Sequence, residues 1–227
     1  MIDRQGRGGR PPGSGAVRAR VGWMPALVGA ALALVATSVA IASAQEVTSG
    51  FGFRFSVPET WLVLTRDEVA ANADAFVGRE GGDELAFIPD DMRRMVYERV
   101  MAGELEVLYR RGSAPGTFVD NVNVLVQRAK LPASPEEVSR VCELLPGTFS
   151  RVFGRPIAMD VCEMRERVGR RAFYLEFDGA IEGTKSMQYQ LSRESEETLV
   201  VTATVRSENL ARMQDEFEAM IASIRLE

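Results

Sequence analysis

The last third of the sequence is a run of short strand candidates separated by turns. Within it, Phe173, Leu175 and Phe177 alternate with polar or aromatic neighbours, and this period of two predicts a strand with two different faces. Strands joined by such short turns pair antiparallel, because a parallel pair needs a crossover of about a dozen residues or more. We therefore predict an antiparallel meander with strands at 157–167, 172–181, 187–192 and 199–205.

Further strands and helices precede and follow this meander. The alternation of apolar and polar residues predicts strands at 51–57, 105–109 and 118–127. Helical spacing of apolar residues predicts helices at 67–76, 89–101 and 134–145, and a closing helix from 207. Adjacent runs of strands with helices around them describe an α+β domain whose central, largely antiparallel sheet has about seven strands.

Two of the predicted helices have clear boundary signals. Ser134-Pro135-Glu136-Glu137 is a capping box with proline at the first helical position, and Pro146-Gly147 predicts the end of that helix. For the closing helix we predict Ser207 as N-cap, with Arg212 and Glu216 paired across one turn on the solvent side.

Residues 1–44 have the composition of a Sec-type signal sequence. Five arginines and a single acid lie in the first twenty residues, and 21–45 carries no charge. The apolar middle of this stretch ends in Ala42-Ser43-Ala44, whose small side chains suit signal peptidase. We predict cleavage between Ala44 and Gln45, which leaves 45–227 as a single periplasmic or secreted domain.

An uncleaved N-terminal anchor is the alternative, because the uncharged stretch is long enough to span a bilayer. Only in that case would the domain be attached to a membrane. The alanine-rich, weakly hydrophobic character of the stretch and its small-residue end favour cleavage. N-terminal peptide mass spectrometry of the exported protein distinguishes the two.

Composition excludes several classes of function. The sequence has no histidine, which removes Ser-His-Asp catalysis, Cys-His catalysis and His-ligated zinc. Residues 1–44 hold five of the 27 basic and one of the 32 acidic residues, so 45–227 has 22 against 31, a net charge of −9. This charge argues against nucleic acid as a partner, because phosphate backbones require positive patches. We predict no catalytic residue, metal site or cofactor.

Cys142 and Cys162 are the only cysteines in the sequence. In an oxidising compartment an isolated pair most often forms a disulfide, and two buried reduced thiols are the alternative. Cys142 lies on the apolar stripe of the predicted helix, where a structural bond fits better than a reactive thiol.

Four polar residues are the weak candidates for a functional site. Glu176 and Asp178 project from one face of a predicted strand, and such carboxylates could serve acid–base catalysis or calcium binding. Ion pairing with Arg165 or Arg167 is the structural alternative. Asn121 and Asn123 also share one strand face, and strand asparagines commonly satisfy the backbone of a nearby loop.

The order of these elements resembles the PsbP/Mog-like superfamily, which includes bacterial envelope members of the DcrB type. The resemblance rests on residues 53–61, residues 121–124, residues 169–172, and the last strand with its closing helix, and it spans about 51–225. It implies an α/β/α sandwich with a central antiparallel sheet. It also implies a non-enzymatic, protein-binding or assembly role.

Two functions are the resulting hypotheses. The first is an exported, non-catalytic envelope protein that binds another envelope protein or helps a complex to assemble. The alternative is a hydrolase or small-ligand-binding protein that uses carboxylates in a crevice between the sheet and a helix.

Overall fold

The computed structural model describes residues 43–77, 85–112, 118–193 and 196–227. The chain divides into two units, Met1–Ala40 and Ile41–Glu227, and all of the described residues lie in the second. The predicted signal sequence therefore lies outside the described residues, except for Ser43 and Ala44.

Ten strands form from the described residues, and they divide into two sheets. The strands are β1 (Ala44–Ser49), β2 (Phe53–Pro58), β3 (Trp61–Leu64), β4 (Glu106–Arg110), β5 (Asn121–Arg128), β6 (Met159–Arg167), β7 (Arg170–Asp178), β8 (Thr184–Ser192), β9 (Glu197–Arg206) and β10 (Arg225–Leu226). The larger sheet has seven strands in the order β3-β4-β5-β9-β8-β7-β6, and every neighbouring pair is antiparallel. The smaller sheet has the order β1-β2-β10.

Five α-helices accompany these strands in the described part of the chain. They are α1 (Arg66–Ala71), α2 (Ala73–Val77), α3 (Asp90–Met101), α4 (Pro135–Phe153) and α5 (Leu210–Ala222). The predicted α+β class, with its antiparallel seven-stranded sheet, is confirmed. The three-stranded sheet is an addition that the sequence did not predict.

One face of the seven-stranded sheet, which we call the closed face, is covered by the smaller sheet and by α5. Val124 of β5 and Val201 of β9 belong to a single buried cluster with Phe55 of β2 and Phe217 of α5. Burying each such side chain stabilises the fold by roughly 1.5–3 kcal/mol. This cluster is therefore the main core of the protein.

The opposite face, which we call the open face, is covered by helices towards its two edges. Over β3 and β4, a cluster that includes Leu64 and Val107 packs against Val96 of α3. Over β7, Phe149 of α4 contacts Phe177, with 4.6 Å between the ring centroids. The central strands lie between these two apolar clusters.

The first strand of the domain is β1, which the sequence did not predict. Its only buried residues are Val47 and Ser49, so the pattern lacks the apolar alternation that indicates a strand. The predicted strand at 51–57 is observed from Phe53, because Gly52 adopts a positive φ of 75° in the turn that joins β1 to β2. The predicted cleavage point, Ala44–Gln45, falls at the start of β1.

Helix α4 continues through Pro146-Gly147, so the predicted end at these residues is wrong. Apolar residues continue beyond the proline, and Phe149 and Phe153 pack in the same cluster as the earlier stripe. This packing outweighs the backbone hydrogen bond that a proline removes. The helix ends instead at Gly154, in the left-handed conformation. The predicted start is confirmed, since Ser134 Oγ accepts from the Glu137 amide at 3.3 Å.

The start of the closing helix also differs from the prediction. A 3₁₀ turn at Ser207–Asn209 comes first, and Ser207 Oγ donates to the Gly183 carbonyl instead of capping the helix. Glu216 does not pair with Arg212. It faces the sheet, where it accepts a hydrogen bond from Trp61 Nε1 at 3.1 Å and lies 3.4 Å from Arg110 Nη2. Sequence spacing alone could not show this long-range contact.

The predicted disulfide between Cys142 and Cys162 is present, with the two Cα atoms 5.8 Å apart. It joins α4 to the edge strand β6. None of the residues of α4 is fully buried, so the helix has less packing to hold it than α5 has. The disulfide is therefore an important attachment of α4 to the sheet.

We expect the double substitution Cys142→Ser/Cys162→Ser to lower the free energy of unfolding by about 3 kcal/mol, because it removes a cross-link over a loop of about 20 residues. Denaturant unfolding measures this loss. Replacing the exposed Ser139 of the same helix by alanine is the control and should change little. Two alkylated thiols in the unreduced native protein would contradict the disulfide.

Glu106 is a carboxyl group buried on the closed face, with 4% of the residue exposed. It accepts hydrogen bonds from Ser49 Oγ at 2.6 Å and from the Gly50 amide at 2.8 Å, so it holds the end of β1. Burial raises the pKa of Glu106 above its ordinary value of 4.5, although these two hydrogen bonds act in the lowering direction.

A raised carboxyl pKa means that the folded protein favours the protonated form. The contribution of Glu106 to stability is thus fully present when the pH is below the ordinary pKa of 4.5. It is lost as the pH rises through the raised pKa of the folded protein. We expect Glu106→Gln to gain stability relative to the parent protein as pH rises through this window. Chemical denaturation across pH measures the difference. A pH-independent difference, equal to that of the exposed Glu104→Gln control, would contradict this expectation.

Candidate functional site: the polar strip on the open sheet face

The three central strands carry apolar side chains on one face and mostly polar side chains on the other. On β9, Val201 and Ala203 are buried on the closed face, and Thr202 and Thr204 alternate with them. The same alternation on β5 and β8 places polar residues on the open face, although Leu125 and Val200 also project from it. Seven of these polar residues are neighbours near the middle of the three strands. We call these residues the polar strip: Asn121, Asn123, Ser186, Gln188, Gln190, Thr202 and Thr204.

The strip is ordered by the register of the strands. Asn121 of β5 is opposite Thr204 of β9, which is opposite Ser186 of β8. One step along, Asn123 is opposite Thr202, and Thr202 is opposite Gln188. Six of the polar side chains therefore form two rows that run across the three strands, because directly opposed residues project from the same face. Gln190 lies one step further along β8, opposite Val200.

Hydrogen bonds link neighbours within the strip. Ser186 Oγ and Thr204 Oγ1 are 3.0 Å apart, and Gln188 Nε2 donates to Thr202 Oγ1 at 2.8 Å. Asn123 Nδ2 donates to Asn121 Oδ1 at 3.0 Å. Each amide and hydroxyl has further donor or acceptor capacity beyond these contacts. The strip is therefore pre-ordered and can still bind neutral polar groups.

The strip lies between the two apolar clusters of the open face. Val107 of β4 borders it on one side and Leu175 of β7 on the other, and both are buried beneath helices. Six of its residues are half-buried, and Ser186 is 4% exposed. A polar floor with a helical layer at either edge is a shape suited to receiving a segment of another molecule.

The structure separates the four polar residues that the sequence singled out. Asn121 and Asn123 belong to the strip, and Asn121 Nδ2 also donates to the Val119 carbonyl at 3.0 Å. Glu176 and Asp178 project from the closed side of β7, in line with the buried Tyr174. The two pairs therefore do not form one site, and whether either pair is functional stays a prediction.

Both carboxylates have partners other than the predicted arginines. Tyr174 Oη donates to Glu176 Oε2 at 3.2 Å. Asp178 Oδ1 lies 2.8 Å from Lys185 Nζ, and the Ala158 amide donates to Asp178 Oδ2 at 3.0 Å. The hydrogen bonds from Lys185 and then Ala158 lower the pKa of Asp178. An ionised, ion-paired carboxylate is a poor general acid at neutral pH.

Arg165 and Arg167 bind the carboxylate of Glu218 on α5, so the predicted pairing with Glu176 or Asp178 is wrong. The Arg165 guanidinium lies over the Tyr174 ring, 3.6 Å from its centroid. Tyr189 Oη donates to Glu218 Oε1 at 2.6 Å. Burial is the main cause that raises the pKa of both tyrosines. The cluster fastens α5 to β6 and β8.

Within the described ranges, no group of three or more acidic or cysteine side chains is arranged to hold a metal ion. No helix among the same residues is long and apolar enough to cross a membrane. The polar strip itself contains amides and hydroxyls and no ionisable group. Its chemistry is hydrogen bonding to neutral polar groups.

No model of a known protein family matches the sequence, and no curated protein sequence matches it. Among solved structures, the chain is similar to cyanobacterial PsbP (CyanoP) from Synechocystis sp. PCC 6803, with 12% identity and a TM-score of 0.46 over 84% of this chain and 96% of that one. It is also similar to LpqN of Mycobacterium tuberculosis, a protein involved in cell envelope biogenesis, with 11% identity and a TM-score of 0.47 over 81% and 90% of the two chains.

A third similar structure is the Ran-binding protein Mog1p of Saccharomyces cerevisiae, with 9% identity and a TM-score of 0.44 over 81% of this chain and 95% of that one. The sequence resemblance named PsbP and Mog proteins, and one structure of each is among those similar to this chain. At these identities and TM-scores the likeness concerns the fold alone.

Sequence reasoning found two residues of the strip and missed five. The alternations Asn121-Val122-Asn123-Val124 and Thr202-Ala203-Thr204 are visible in the sequence. What the sequence does not contain is the register that aligns them, because β5 pairs with β9 over a long separation along the chain. Only the folded sheet shows that these polar positions are neighbours.

Proposed function

We propose that this chain is an exported, non-catalytic accessory protein of the cell envelope, which binds another envelope protein through the polar strip. The observation that carries this proposal is the strip itself. Three central strands of the main sheet present ordered, uncharged polar groups on the open face. The described helices on this face cover its two edges and leave the strip between them.

The chemistry of the strip favours a protein segment as its occupant. Its amides and hydroxyls match the neutral donors and acceptors of a peptide backbone and of polar side chains. A nucleic acid would require cationic groups, and a lipid surface would require apolar or basic ones. The strip has neither, and the net charge of 45–227 is −9.

The enzymatic alternative has less support. A carboxylate-based hydrolase or small-ligand site would need Glu176 and Asp178 in a crevice, and these residues are bound to Tyr174 and Lys185 on the closed side of the sheet. A cavity of about 390 Å³ does lie between β3 and the first two helices, and its lining includes Glu68 and Phe76. The predicted carboxylate pair is not part of that lining.

Site-specific photo-crosslinking in the native cell tests the proposal. A photoreactive amino acid is placed at Thr202 in the strip, or at Thr48, which is exposed on β1, as the matched control. We expect a discrete adduct with one envelope protein from position 202 and none from position 48, because only the strip would contact the partner.

A second substitution makes the test specific to the strip. Gln190→Arg places a cation within the neutral floor and should reduce the adduct from position 202 several-fold, while circular dichroism shows an unchanged fold. Equal adducts from positions 202 and 48, or an adduct that Gln190→Arg does not weaken, would contradict the proposal. Absence of any adduct from position 202 in a folded, exported protein would also contradict it.

A further inference from the structure

Four arginines lie together at one end of the seven-stranded sheet, in a domain that is otherwise acidic. They line a cavity of about 320 Å³ at the ends of β4 and β9 and beside the start of α5. We call this cavity the arginine pocket, and its arginines are Arg110, Arg111, Arg206 and Arg212. None of them belongs to the polar strip, so a ligand site in this pocket is independent of the proposed function.

Two of the four arginines have carboxylate partners. Arg110 Nη2 lies 3.4 Å from Glu216 Oε1, and Arg206 Nη1 lies 3.7 Å from Glu208 Oε1. Arg206 Nη2 also donates to the Phe118 carbonyl at 3.2 Å. These contacts fix the two guanidinium groups in the wall of the pocket.

Asp120 is the carboxylate in the lining of the pocket, and it is 4% exposed. Its Oδ1 accepts from the Arg206 amide at 2.9 Å, and its Oδ2 accepts from Asn209 Nδ2 at 3.0 Å. Both oxygens are thus engaged in fixing the junction between β9 and α5. Asp120 therefore shapes the pocket and forms no ion pair with its arginines among the described residues.

Arg111 and Arg212 differ from the other two. Both are exposed, and in the described part of the chain neither lies within ion-pair distance of a carboxylate. Arg212 Nη2 donates to Asn209 Oδ1 at 3.3 Å, and Asn209 is also part of the lining. The pocket therefore holds two guanidinium groups that have no carboxylate partner among the described residues, and its four arginines leave one net positive charge once Asp120, Glu208 and Glu216 are counted.

We propose that the arginine pocket binds a phosphate group. Planar guanidinium groups bind phosphate oxygens through pairs of parallel hydrogen bonds, and they do so more strongly than neutral donors. The two guanidinium groups that have no described carboxylate partner can together bind the oxygens of one phosphate group. A carboxylate has two oxygens and accepts one such pair of hydrogen bonds, whereas a phosphate group has enough oxygens to bind both guanidinium groups. The phosphate can be the free ion or the end of a phosphate monoester, and both present the same oxygens to the pocket.

Isothermal titration calorimetry at constant ionic strength tests the proposal, with inorganic phosphate and glycerol 3-phosphate as probes. We expect saturable binding of at least one probe by the parent protein. Arg111→Gln/Arg212→Gln should weaken that binding about tenfold or more, because it removes charge-assisted hydrogen bonds. Tighter binding of glycerol 3-phosphate would identify a monoester, and tighter binding of phosphate would identify the free ion.

Arg66→Gln/Arg140→Gln is the matched control, since it removes the same charge from two exposed arginines outside the pocket. It should bind each probe as the parent protein does. Failure of the parent protein to bind either probe would overturn the proposal, and so would equal weakening in the control. Thermal unfolding of both variants confirms that they are folded before titration.

Discussion

Helix α5 lies across the closed face of the main sheet, and most of the architecture depends on this contact. Met213, Phe217 and Ile221 are at most 1% exposed and pack into the same cluster as β2, β5, β8 and β9. Two carboxylates fix the helix on either side of this stripe. Glu216 accepts from Trp61 near one edge of the sheet, and Glu218 accepts from Tyr189 towards the other. The side chains of the closed face are therefore part of the main core.

The packing of the closed face determines which residue types the open face carries. Because side chains alternate along a strand, most apolar residues of β5, β8 and β9 pack on the closed face, and most of the positions between them carry polar groups. Leu125 and Val200, which are opposite each other on the open face, are exceptions. The helices on the other side pack over the edges, around Val107 and Phe177. The result is a polar floor between two apolar clusters, with hydrogen bonds that order its side chains. The proposed binding of another polypeptide rests on this floor.

Local patterns predicted much of this fold, and long-range contacts account for most of the errors. The meander, the capping box at Ser134 and the disulfide follow from residues close in sequence or from the cysteine count. Strand β1 was missed because it is held largely by pairing with β2 and by the contact of Ser49 with Glu106. The helix end at Pro146 was wrong because packing of Phe149 outweighs a local breaker. The polar strip depends on strand register, which no local pattern contains.

The central claim is that one face of the central strands is core and the other is accessible. Thr202→Cys and Ala203→Cys test it directly, because these adjacent positions on β9 face opposite ways and no free cysteine is present among the described residues. Ala203 is 0% exposed, whereas Thr202 is half-buried on the open face. Under native conditions, a maleimide should label the thiol at position 202 rapidly and spare the one at position 203. Equal rates, or faster labelling at position 203, would contradict the account.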